Sequence, residues 1–219
     1  VIPRISASLS PIARLPRRAV LAFLALAVAF AIVAQPTVMA APEPEPIPRR
    51  WQLRVEPGDL RIATVETASG PRAYLYMTFK VINASGEDRD FAPSFELATD
   101  TGTIRRSGRD VPREVTETLL SKIGSPLVTD ETGVQGRLLQ GPENAREALV
   151  IWPADDLQAS EYNVYLIGFS GETKAISRPD TGQSVILRKT LMLRHEGTGR
   201  LDPTSGRPLP RVQERWILR

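Results

Sequence analysis

The sequence predicts an antiparallel β-sandwich with one short helix, and three observations carry that prediction. The first is strict alternation in "YLYMTFKVINASG", where Leu75, Met77, Phe79 and Val81 fall on one face and Tyr74, Tyr76, Thr78 and Lys80 on the other. The second is a series of short apolar runs separated by turn residues, such as Gly141-Pro142, Pro153-Ala-Asp-Asp156 and Ser170-Gly171. The third is a single helical period. In "DVPREVTETLLSKIG", Val115, Leu119 and Ile123 recur every fourth residue, with Pro112 in the first turn and Gly124 as a stop. Asp110 is the expected cap, and the helix, about 111–123, is expected to cover an end or edge of the sheets.

The elements follow in order. "WQLRVE" (51–56) and "LRIATVE" (60–66) alternate around Pro57-Gly58-Asp59, which predicts two short strands or one bent strand. The long strand 74–82 ends in the turn Asn83-Ala-Ser-Gly86, and Phe91, Phe95 and Leu97 begin the next. Asn83-Ala-Ser85 also spells an N-glycosylation acceptor. After the helix come "VQGRLLQ", "REALVIW", "YNVYLIGF" and "QSVILRKTLMLRH", the last two long enough to be central. Residues 197–210 read as loop, and "RVQERWILR" can add a final edge strand.

The first forty residues do not belong to this domain. Arg4, Arg14, Arg17 and Arg18 precede an uncharged run, Ala19 to Ala34, and "TVMA" closes it with small residues. That is the layout of a secretory signal helix over 1–40, with cleavage expected between Ala40 and Ala41. The apolar run is short for a bilayer span, so a membrane anchor is the alternative should cleavage fail. Arg17-Arg18 partly matches the twin-arginine export pattern, which leaves the route open. Val1 is what a GTG start codon would leave, a bacterial trait. Residues 41–50, with Pro at alternate positions, are expected to be an extended spacer. The domain proper is then 51–196, and 197–219 is a basic tail.

Charge narrows the function. The chain carries +3, and without its four leading arginines it carries −1. Nothing in that balance attracts nucleic acid. From Arg188 onward eight basic residues meet three acidic ones, and this tail is expected to lie on the acidic body of its own domain. There is no cysteine, which excludes thiol chemistry and cysteine-ligated metal, and His195 is the only histidine. It reads as an exposed strand-end residue. No cofactor is expected.

Two triplets raise the question of an enzyme. Asp100-Thr101-Gly102 and Asp180-Thr181-Gly182 both spell the active-site motif of aspartic proteases. Such enzymes set two aspartates against each other, sharing one proton. Asp100 follows the apolar "FELAT" and precedes Thr103, but Asp180 follows Ser-Arg-Pro and precedes Gln183. Both triplets therefore read as turn chemistry. A secreted hydrolase using Asp100 stands as the alternative function.

"YMTFKVINASGEDRDFAPSFELATDTG", with the later "LQGPENAREALVIWP", resembles exported bacterial proteins built on a single immunoglobulin-like sandwich. The resemblance spans roughly residues 51–195. It implies a non-catalytic binding or scaffolding module of the cell envelope, periplasmic or extracellular, with an envelope protein or a polysaccharide as partner. The expected docking surface is the outer face of the strand 74–82, through Tyr74, Tyr76 and Lys80, because paired tyrosines beside a lysine suit interfaces. Cover of those tyrosines by the helix or the tail is the competing reading.

Overall fold

The computed structural model describes residues 42–197 and 199–219; the signal segment expected over 1–40 lies outside them. Residues Pro42–Arg219 form one compact unit. It is mainly β, with antiparallel sheets and one helix.

The long strand β3 (Gly70–Asn83) organises the first sheet. Two short strands share one of its edges: β1 (Arg54–Pro57) beside its second half and β2 (Arg61–Thr67) beside its first. Pro57 opposes Phe79 and Arg61 opposes Tyr76, so residues 58–60 face only 77 and 78. The expected bent strand is thus a β-bulge at Gly58-Asp59-Leu60, which bends the edge without ending it. On the other edge of β3 runs β9 (Gly141–Pro153), and β7 (Val128–Asp130) pairs parallel to β9.

The second sheet is built around β12 (Ser184–Glu196). β10 (Glu161–Ile167) and β11 (Thr173–Ser177) lie end to end along one edge of β12, and β13 (Arg211–Leu218) runs along the other. β5 (Ser94–Thr99) pairs β10, and β6 (Ile104–Arg106) pairs β5. β4 (Arg89–Phe91) and β8 (Gly136–Leu138) form a separate two-stranded ribbon. The tail expected to lie on the domain is therefore part of its sheet.

The two sheets meet through their alternating faces. Leu75, Met77, Phe79 and Val81 of β3 share a core with Phe95, Leu97, Val164, Leu166, Leu191 and Leu193. Phe79 packs on Phe95 with ring centroids 4.8 Å apart, and Phe169 meets Phe79, Phe91 and Phe95 at 5.1–5.9 Å. Tilted and edge-on contacts of this kind add to the burial of the rings. Trp152, fully buried, completes the floor from β9.

A second apolar cluster lies on the other face of the first sheet. Tyr74, Tyr76, Ala63, Val65, Leu149 and Ile151 pack beneath Val115 and Leu119 of the helix α1 (Arg113–Ile123). The helix begins two residues later than expected: Pro112 is the N-cap, with no side-chain bond, and Asp110 stands before it at φ 59°. It covers the outer face of the sheet, not an end or edge. Asn83 is fully buried and donates to the carbonyls of Glu87 and Leu138, so the glycosylation acceptor is unavailable in the folded chain.

Tyr162, at the start of β10, donates its hydroxyl to the carbonyl of Asp156 at 2.8 Å. Burial, then the charges of Asp156 and Asp100, push its phenol up to about 12, so it stays a donor at every physiological pH.

The helix-covered cluster yields a test. The Tyr74 hydroxyl is buried without a hydrogen-bond partner. Tyr74→Phe should be neutral or slightly stabilising, since it removes a buried unpaired donor. Tyr74→Ala should cost about 3–5 kcal/mol. Urea unfolding of both variants checks the pair; equal losses would mean that the ring contributes nothing to packing.

Candidate functional site

β1 and β13 are the outermost strands on one side of the two sheets, and a cleft lies between them. β1 pairs only β3, and β13 pairs only β12 among the described residues. The cleft holds about 540 Å³ and is lined by Trp51, Leu53 and Val55 from one wall and Leu191, Glu214 and Trp216 from the other. Arg50, Arg54 and Gln52 stand at its rim. Arg211 ties the two strands together: its guanidinium donates to the carbonyls of Pro57 (2.9 Å) and Gly58 and pairs with Glu214 at 3.0 Å.

The residues ahead of β1 hold that wall in place. Leu53 donates to the Phe169 carbonyl at 2.8 Å, and Gly171 donates to the Trp51 carbonyl at 3.0 Å. The chain thus pairs with the second sheet at 51–53 and with the first from Arg54 onward. The Trp51 indole lies so close to Gly171 that a Cβ there would sit 2.4 Å from its Nε1. Only glycine fits beneath that ring. The Arg89 guanidinium lies 5.2 Å over Trp51, and the Lys189 ammonium 5.7 Å from the Trp216 ring.

Lys189 belongs to a buried ion pair. Its Nζ lies 2.7 Å from Glu172 Oε2, and both side chains are almost fully buried. The Glu45 amide donates to Glu172 Oε1 at 2.8 Å, and Lys189 also reaches the Glu45 carbonyl at 3.4 Å. Burial pushes the Glu172 carboxyl up, but the Lys189 hydrogen bond, the Glu45 amide and the Lys189 charge together bring it below its ordinary value. The expected spacer therefore does not run free: Glu45 is docked on this pair.

The sequence-predicted site fares differently. Tyr74 and Tyr76 are buried under α1, so they offer no docking face; the competing reading of helix cover is the one the structure shows. Alternation correctly sent them to the face away from the main core, but a layer distant in sequence covers that face. Lys80 remains half-exposed, 3.7 Å from the Glu147 carboxylate. His195, expected at the surface, is fully buried. It shares the parity of Leu191 and Leu193 on β12, which was the signal for its burial.

Both Asp-Thr-Gly triplets are hairpin turns. The first joins β5 to β6, with Thr99 and Thr103 paired and Gly102 at φ 92°. The second joins β11 to β12, with Gly182 at φ 69°. The positive φ is why glycine ends each triplet. Thr99 lies beside Tyr162, which lies beside His195 near the end of β12, whereas the second turn feeds its start. At ~3.3 Å per residue the strand between them spans roughly 35–40 Å, so the two aspartates of one chain do not meet. Asp100 accepts the Ser160 amide at 3.1 Å, and Thr101 donates to Asp156, whose carboxyl is held below its ordinary value mainly by that bond.

A second cleft, about 300 Å³, lies beside α1 between residues 106–111 and 130–135. Burial pushes the Glu131 carboxyl up, against the pull of Ser107 and Arg106. Among the described residues, no group of three or more histidines and carboxylates gathers to hold a metal. Comparison with protein-family models, curated proteins and solved structures returned no match.

Trp51, Trp216 and Arg211 were not singled out by the sequence. Their signals were an aromatic in each terminal alternating run, but nothing local says that the two runs face each other.

The buried pair gives a prediction. Lys189→Met leaves the Glu172 carboxylate uncompensated and should cost about 3–5 kcal/mol, whereas Lys189→Met with Glu172→Leu should recover most of it. Chemical denaturation of the three proteins decides; a double variant no better than the single one would show that the pair itself, not the stranded charge, carries the loss.

Proposed function

We propose that residues 42–219 form an exported, non-catalytic immunoglobulin-like binding module of the bacterial envelope, and that the β1/β13 groove takes an extended, acidic polypeptide segment. The strand order supports the immunoglobulin-like reading. β2-β3-β9-β7 in one sheet and β12-β10-β5-β6 in the other follow the A-B-E-D and G-F-C-C′ arrangement of such sandwiches. The Tyr162 bond to Asp156, between the strands in the E and F positions, matches the tyrosine corner of that fold. The parallel pairing of β7 and the added β13 depart from it.

The observation that carries the functional reading is the pair of open strand edges beside an apolar floor. An edge strand presents unpaired backbone groups, and an added strand satisfies them while side pockets take alternate residues. Charge points to the occupant. Arg54 pairs Glu56, Arg89 pairs Glu87 and Arg211 pairs Glu214, whereas Arg50, at the cleft rim, has no carboxylate partner among the described residues. A second copy of β13 fits poorly. The central antiparallel registers that keep faces matched set Glu214 against Glu214 or Arg215 against Arg215, and like charges directly opposite destabilise. A glycan fits less well than a peptide, because Arg89 and Lys189 already occupy a face of each groove tryptophan.

Tryptophan fluorescence titration tests this with two capped octapeptides, alternating Val-Glu and alternating Val-Lys. The acidic peptide should bind at least tenfold more tightly, and Arg50→Glu with Arg54→Glu should reverse the preference without shifting Tm. Equal binding of both peptides, or indifference to the charge reversal, would sink the reading.

A further inference from the structure

We infer that His195 is an acid-sensitive latch for the C-terminal strand: protonating it releases β13 from β12 and the β1–β2 bulge. This goes beyond the proposed ligand and stands without it. If the groove reading holds, the same opening removes one of its walls, so acid would discharge the occupant.

The geometry around the imidazole carries the inference. His195 is fully buried on β12, between Tyr162 of β10 and Arg211 of β13 in the ladder. Neither ring nitrogen has a hydrogen-bond partner in the closed structure. A protonated ring would bring a second N–H donor and a charge into that space, where the nearby backbone of Tyr162 and Leu193 favours the charged form by less than burial and the Arg211 charge oppose it. The ladder is also weakest here. Arg194 opposes Gln213 and His195 opposes Arg211, so Val212 bulges out, 46 % exposed.

The charged neighbours do not compensate. Arg211, on β13, has the same sign as a protonated His195 and is the residue that clamps β13 to Pro57 and Gly58. Asp59, from the β1–β2 bulge, has the opposite sign but is engaged by Arg61 at 2.7 Å. Tyr162 is neutral and its hydroxyl is spent on Asp156. Arg200, Asp202 and Arg207 in the loop before β13 are exposed. Glu196 is exposed on the neighbouring position of β12.

Burial, then the Arg211 charge, lowers the imidazole to about 4 in the closed state, whereas a released imidazole returns to about 6.5. The open state binds more protons between those values. The closed state is therefore favoured in full above pH ~6.5 and loses that advantage as pH falls toward 4. At pH 5 the opening constant should exceed that at pH 7.5 about thirtyfold.

Hydrogen exchange of the full chain at pH 7.5 and 5.0, corrected for intrinsic rates, reads this directly. Amides of β13 should open about thirtyfold more often at pH 5.0, and at both pH values with a lower opening free energy than those of β3, which exchange through unfolding of the whole unit. In His195→Leu the difference should vanish; an undiminished rise in that variant would overturn the latch. The sole imidazole gives a second readout that needs no variant. Its NMR signal should stay in the neutral form well below pH 6 in the closed protein, and a simple midpoint near 6.5 without faster β13 exchange would also overturn it. Peptide titration at pH 7.5 tests the groove alone, so the two ideas fail separately.

Discussion

Residues 51–57 are the constraint on which the rest of the structure depends. Their backbone bonds the second sheet at Phe169 and Gly171 and, within a few residues, the first sheet along β3. β10 and β11 are interrupted at 168–172, and the incoming chain supplies partners for the interrupted stretch through the Gln52–Ser170 bridge. Buried backbone groups must be paired. The break in one strand and the start of another therefore fix each other, and with them the spacing of the two sheets at this edge. Gly171 is the point of least tolerance, because the indole of Trp51 occupies the volume of any side chain there.

The polar groups near that seam are expensive; the charged pair beside it is answered, whereas Gln52 Oε1 is buried without a partner. Glu172 and Lys189 take each other out of water, and the backbone of Glu45 supplies the remaining bonds. Such a pair contributes little net stability, because desolvation offsets attraction, but it strongly disfavours arrangements that separate the partners. Asn83 plays the neutral counterpart at the far end of β3, with both amide hydrogens spent on carbonyls and its oxygen on the Ser85 amide. His195 differs from both. It is buried with its nitrogens unpaired, which makes it the group most exposed to a change of charge state.

The same edge that closes the core leaves two strand margins open. β13 carries Arg211, Gln213, Glu214 and Arg215 in one run, and β1 carries Arg54 and Glu56. Charged side chains on an edge suppress pairing with identical copies while leaving the backbone available to a complementary segment. Self-avoidance on this surface follows from where the charges stand along the strands.

Alternation in the sequence determined a good deal by itself. The row Leu75, Met77, Phe79 and Val81 specified the core face of β3, because a one-residue shift would expose all four. The four-residue period of Val115 and Leu119 specified a helix with one buried stripe, and Asp-Thr-Gly specified two turns that require a positive φ at glycine. What lay outside its reach was cover. Tyr74 and Tyr76 read as a solvent-facing row until α1, some forty residues away, lay across them. His195 read as a strand end until Arg211 and the chain before it closed over the ring. Trp51 and Trp216 stand at opposite ends of the domain and line one cleft only because both terminal strands reach the same side. A strand's own residues fix which side chains share a face; whether that face meets water, a helix or another sheet depends on distant chain packing against it, and only the tertiary structure decides that.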